Sequence, residues 1–201
     1  MIRHTLSTAS ILVAMMAAAP QAATAATFVY SGAASASQEV PAVASPGRGF
    51  VTATYDNVAN TLRFQTSFSR LIGNTTMAHL HCCAPSGANA GVATSVPSLG
   101  GFPLGVKFGS SDTTLDLALA TSFNPAFVTN NGGTLLGART ALLAGLNSGR
   151  TYFNIHTTFA RGGEIRAQLA AVPEPATWGM MLIGFGAIGT AIRGRRRTAF
   201  A

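Results

Sequence analysis

An all-β fold, a single antiparallel β-sandwich with one short helix, is what the sequence predicts, and three observations predict it. Gly, Pro, Asn and Asp divide residues 27–171 into short runs rich in β-branched and aromatic residues. One run alternates cleanly: Leu62, Phe64, Thr66 and Phe68 share one face, and Arg63, Gln65 and Ser67 the other. That is the period of a half-buried strand. Charged residues make up 9% of the chain and hydrophobic ones 48%, which is ample for a core and excludes disorder.

In chain order, Thr27 to Ser31 reads as a first strand. Gly49 to Tyr55 and Thr61 to Phe68 are two more, joined by a turn containing Asp56, Asn57 and Asn60. Gly73-Asn74 turns into a strand from Thr75 to His81, and residues 82–104 form a long loop rich in Ala, Gly, Pro and Ser. Thr113 to Leu119 is a further strand. Leu135, Leu136, Leu142, Leu143 and Leu146 fall at helical spacing between Gly132-Gly133 and Gly145, which predicts the helix. Thr151 to Thr157 and Glu164 to Leu169 close the domain as a strand pair joined through Arg161-Gly162-Gly163. No internal repeat and no second domain is visible.

The two ends carry more than half of the net charge. The chain has a net charge of +7, but Arg3 and Arg193, Arg195, Arg196 and Arg197 lie at the extremes. Within 27–171, Arg48, Arg63, Arg70, Lys107, Arg139, Arg150, Arg161 and Arg166 face Glu39, Asp56, Asp112, Asp116 and Glu164. They form no basic cluster, so a nucleic-acid partner is not expected.

Residues 1–26 read as a signal peptide. Arg3 and His4 precede the apolar stretch Leu6 to Ala19, and Ala23-Thr24-Ala25 offers signal peptidase its small-x-small site. The alternative, an uncleaved anchor, is disfavoured by the short apolar stretch. Residues 172–201 read as three parts: Val172-Pro173-Glu174-Pro175, an apolar helix of about 15 residues over 178–192, and a basic tail at 193–197. The arginines should hold that end in the cytoplasm while residues 27–171 face outward.

Pro173, Glu174, Pro175 and Trp178, then the apolar helix, then Arg195, Arg196 and Arg197, closely resemble the PEP-CTERM sorting signal of the type with Trp three residues after the second Pro. The resemblance implies recognition by an exosortase, a membrane-held precursor in a Gram-negative bacterium that makes exopolysaccharide, and processing near Pro-Glu-Pro. The destination expected is the cell surface or extracellular matrix, with exopolysaccharide as a partner.

Among chemistry-bearing residues, His79 and His81 lie two apart on a predicted strand and so point the same way. His156 sits in the penultimate strand on the face of Tyr152 and Asn154, and Glu164 opens the last strand. Three imidazoles with a carboxylate to complete the set, or to orient a ring, make a site for zinc or copper. The bland alternative has Ala78 and Leu80 facing the core while Met77, His79 and His81 face out, the histidines decorating a solvated face or hydrogen-bonding across strands. Cys82 and Cys83 are adjacent and are the only cysteines. A vicinal disulfide is the first choice in an oxidising envelope, with free thiols or soft metal ligands as alternatives.

No catalytic set is visible. Gly-x-Ser-x-Gly, the flanks of a Cys protease, paired carboxylates, a phosphate loop and a dinucleotide fingerprint are all missing. A non-enzymatic module is therefore expected.

The middle of the chain resembles the CHRD domain, repeated in animal chordins and found alone in many bacterial exported proteins. Gln38-Glu39-Val40-Pro41 followed by Gly47 to Thr54, then Ala78-His79-Leu80-His81, then Gly149 to Thr157 and Gly162 to Leu169 carry the resemblance in order. It covers about residues 27–170 and implies a fold and an address more than an activity. A His-x-His strand on a sandwich also resembles copper/zinc superoxide dismutase, whose two-metal centre needs more histidines than the exported part holds. The expected sandwich is of the immunoglobulin or superoxide dismutase kind. The leading expectation is a cell-surface or matrix binding module; the other is a mononuclear metal protein using His79, His81 and His156.

Overall fold

A computed structural model describes residues 26–173 and Leu182, Ile183 and Phe185. The signal segment, the sorting motif after Pro173 and nearly all of the predicted membrane helix lie outside the described residues. Among the described residues no helix is long and apolar enough to cross a membrane.

The strands are β1 (Thr27–Ser35), β2 (Arg48–Asp56), β3 (Thr61–Ser69), β4 (Thr75–Cys82), β5 (Gly91–Val92) and β6 (Gly109–Asp116). After them come helices α1 (Pro125–Asn130) and α2 (Leu135–Asn147), then β7 (Thr151–Thr157), β8 (Ile165–Gln168) and β9 (Ala170–Ala171). They form one antiparallel sheet in the order β5-β4-β7-β8-β1-β2-β3-β6, with β9 beside β1. β1 pairs with β2 along its whole length, and its other edge passes from β8 at Ser35 to β9 at Tyr30 and Ser31. Gly32 sits where a side chain would run into the Gln168 carbonyl, so only glycine lets the strands come together there.

The sheet curls on itself. Phe64 of β3 and Phe153 of β7 are both fully buried, and their ring centroids are 6.3 Å apart although β8, β1 and β2 lie between them in the sheet. Two halves of one continuous sheet thus face each other across a core of Leu62, Phe64, Leu80, Phe153, Ile155 and Ile165. Burying each such side chain contributes about 1.5–3 kcal/mol. The packing is that of a sandwich, reached with one curled sheet rather than two separate ones.

β3 keeps its predicted alternation, with Leu62, Phe64, Thr66 and Phe68 inside. The strand placed at Thr113 to Leu119 instead runs from Gly109 to Asp116, because the Asp116 carboxylate accepts from Ala118 N and turns the chain. Within residues 26–173 there are two α-helices rather than the one short helix expected there. α1 begins at Asn124, whose side chain accepts from Ala126 N, with Pro125 at the first helical position. α2 begins at Thr134, whose hydroxyl accepts from Gly137 N, and buries Ala138, Leu142, Gly145 and Leu146. Leu136 is exposed, and Gly145 lies inside the helix rather than bounding it. A side chain on Gly145 would meet the Cys82 sulfur and the Thr151 hydroxyl, so the glycine lets α2 lie close against β4 and β7.

β7 is buried at every position. One face meets the core. The other is covered by loops: Ala90 and Pro97 from the segment after β4 reach His81 and His79, Arg161 after β7 reaches His156, and Glu39 reaches Asn154. This second, covered face of β4 and β7 positions the candidate site.

Candidate metal centre

β4 and β7 are antiparallel neighbours, with His79 opposite Asn154, His81 opposite Tyr152 and Met77 opposite His156. Residues two apart share a face, so His79, His81 and His156 project to the same side, His156 lying diagonally across from His79. Their ring centroids are 5.3 Å (His79–His156), 5.8 Å (His81–His156) and 6.0 Å (His79–His81) apart.

The reading of His79 and His81 as solvated decoration is overturned. His79 is 2% exposed and His81 and His156 are 7% exposed. The face expected to meet water lies instead under the covering loops. As expected, Ala78 and Leu80 point into the core.

Each ring is anchored through one nitrogen to a backbone carbonyl. His79 Nε2 donates to Pro97 O at 2.6 Å, His81 Nδ1 to Ala90 O at 2.9 Å and His156 Nδ1 to Arg161 O at 2.9 Å. A carbonyl can only accept, so the proton of each neutral ring must sit on the anchored nitrogen. His79 Nδ1, His81 Nε2 and His156 Nε2 are therefore bare lone pairs, and all three are buried without a hydrogen-bond partner. One ligand nitrogen from each histidine lies within 4.8 Å of the others.

Burial lowers the pKa of all three histidines, and His81, which also feels His156, His79 and Arg166, falls to about 4. The rings are neutral at physiological pH, the form that binds a metal. Three neutral imidazoles, each oriented by a carbonyl on its far nitrogen, suit zinc or copper.

Glu164 is not part of this cluster. Its carboxylate is saturated: Ser45 Oγ and Ile72 N donate to Oε1, and Thr157 Oγ1 and Gly73 N to Oε2, at 2.6–3.1 Å. Thr157 projects to the opposite side of β7 from His156, so the carboxylate is tied to the other face. Burial alone would raise its pKa, but these hydrogen bonds outweigh burial and hold it below the ordinary value. Cys82 and Cys83 are joined to each other as a disulfide, and no free cysteine remains among the described residues. Cys82 points to the core side with Ala78 and Leu80, against α2. The candidate donor set is therefore all nitrogen.

Four residues not singled out as site residues from the sequence surround the cluster. Tyr152 stacks on His81, ring centroids 4.8 Å apart and planes 5° from parallel. The buried Arg166 guanidinium covers the Tyr152 ring, 3.4 Å from its centroid, and donates to Ala88 O. Asn154 lies between Tyr152 and His156 on β7, and its Nδ2 donates to Glu39 Oε2 at 3.1 Å. Burial pushes the Glu39 carboxyl up to about 7, against the opposing pull of Asn154 and Arg166. Glu39 Oε1 and Asn154 Oδ1 are buried without partners. A cavity of about 400 Å³ is bounded by Glu39, His81, Asn89, Tyr152 and Gly163.

A family model described as the CHRD domain matches residues 30–169, and one for the PEP-CTERM protein-sorting motif matches residues 171–197. No curated protein and no solved structure gives a match.

Proposed function

The chain belongs to the CHRD domain family, and from that premise we propose that it is an exported module that holds one zinc or copper ion on His79, His81 and His156. Its C-terminal motif is an exosortase recognition signal, so the protein is exported through a membrane-anchored precursor. The cell surface or exopolysaccharide matrix is the destination we propose, with the metal carried there by the CHRD domain. We also read the curled sheet, with two halves facing across one core, as a sandwich of the immunoglobulin or superoxide dismutase kind.

One observation carries the metal reading: three buried imidazoles, each anchored by a backbone carbonyl and each left with a bare nitrogen, bring one nitrogen apiece within 4.8 Å of the others. Burying one unpartnered polar atom costs about 1–3 kcal/mol. Three together on converging rings fit an ion better than a packed core. We propose a binding role rather than an enzymatic one. Glu39 and Glu164 are the only buried carboxylates among the described residues, and the second is saturated with hydrogen bonds from the other face of the sheet.

The test is elemental analysis of the exported protein beside a variant carrying His79→Ala, His81→Ala and His156→Ala. Near-stoichiometric zinc or copper in the parent, lost from a folded variant, is expected. A folded parent that takes up neither metal would overturn the reading.

A further inference from the structure

The three histidines leave a four-coordinate ion one ligand short, since the cluster contains no carboxylate among the described residues. Two buried oxygens nearby have no partner, Glu39 Oε1 and Asn154 Oδ1. Both accept hydrogen bonds and neither can donate one while Glu39 is ionised.

Their placement joins them to the histidine cluster. Asn154 stands directly across from His79 and two residues from His156, on the same face. Glu39 is held against Asn154 by the Nδ2 hydrogen bond and is only 7% exposed. Gly163 has a φ of +133°, and a side chain there would collide with the Asn154 carboxamide and lie 2.7 Å from Glu39 Oε1. Both oxygens therefore pack closely against Gly163, an approach that only glycine allows. Glu39, His81 and Gly163 border the same cavity.

We propose that the fourth coordination position is open and takes a small protic ligand, water in the resting protein, whose protons are received by Glu39 Oε1 and Asn154 Oδ1. The proposal rests on the metal reading above. A ligand at this position presents a lone pair to the metal and two protons to the oxygens, as water does. Aprotic anions bring no proton and meet acceptor lone pairs instead. The site thus selects small protic molecules that enter through the cavity beside Gly163, and it disfavours anions of similar size.

Azide is the probe, titrated into the copper-loaded protein and into its Glu39→Gln variant at one mildly alkaline pH, with copper content measured on both. In the variant the new amide oxygen still accepts from Asn154 Nδ2, so the amide N–H takes the place of Glu39 Oε1. At least tenfold tighter azide binding in the variant is expected, read from the azide-to-copper charge-transfer band. Equal azide affinities with copper bound to both proteins would overturn the proposal and leave the metal reading standing. Absence of copper from the folded parent would overturn both. Pulsed EPR of the unmutated copper protein in D2O needs no variant: exchangeable deuterons on a copper-bound water are expected, and their absence would overturn the proposal.

Discussion

Burial shifts the three histidines and Glu39 beside β7 in opposite senses. His81 falls from an ordinary 6.5 to about 4, and His79 and His156 also fall. In the metal-free protein the unfolded chain takes up these protons first. The stability they contribute is present above about pH 6.5 and is lost as pH falls toward 4. Glu39 is raised from 4.5 to about 7, so its contribution is present below pH 4.5 and is lost as pH rises through 7. The two trends oppose each other between pH 4.5 and 6.5. Glu39→Gln removes one of them. Denaturant unfolding of the metal-free variant across that window should show stability climbing with pH more steeply than in the parent, and parallel curves would contradict the placement of Glu39. The histidines were legible because His-x-His fixes a shared face at a spacing of two, and His156 has the same parity as Tyr152 and Asn154. Glu39 was not legible as a site residue: it lies 115 residues from Asn154 in sequence, and only the fold joins them. Glu164 was misplaced because it precedes β8, after Gly162-Gly163, where strand alternation does not govern its direction.

At the scale of elements, the predicted strands hold their positions within a few residues wherever alternation or turn chemistry was strong. β7 matches residue for residue, yet its burial on both faces was not readable, because the cover comes from segments with no period of their own. The residues after β4 carry only Gly, Ala, Pro and Ser signals, while their carbonyls at Ala90 and Pro97 orient two of the three histidines. In α2 the leucine spacing found the helix, but the buried stripe runs through Ala138, Leu142, Gly145 and Leu146. Small residues there mark a close approach that hydrophobicity alone does not register. Gly145→Ala places a methyl against the Cys82 sulfur and 2.7 Å from Thr151 Oγ1. It should destabilise the domain by about 1–3 kcal/mol, read as a lower urea midpoint at unchanged slope. Leu136→Ala, at an exposed position of the same helix, should move the midpoint by no more than ~0.5 kcal/mol equivalent. Equal effects of the two would contradict the packing of α2 on β4 and β7.

Across the whole molecule, one curled sheet makes two environments: an apolar core between its facing halves, and a covered polar face on β4 and β7 that gathers the histidines, Glu39, Asn154 and Arg166. The all-β class and the sorting tail were legible because both rest on local signals, the strand period and an ordered three-part motif. The curl was not, since it depends on contacts such as Phe64 with Phe153 between strands far apart in the sheet. On the function proposed above, the covered face gives the exported CHRD domain a metal site of its own. X-ray absorption at the metal edge of the zinc- or copper-loaded protein tests that claim most directly. Three imidazole nitrogens at about 2.0–2.1 Å, one further light scatterer and no sulfur are the predicted shell. A shell of sulfur, or of six oxygens from loosely held ions, would contradict the account.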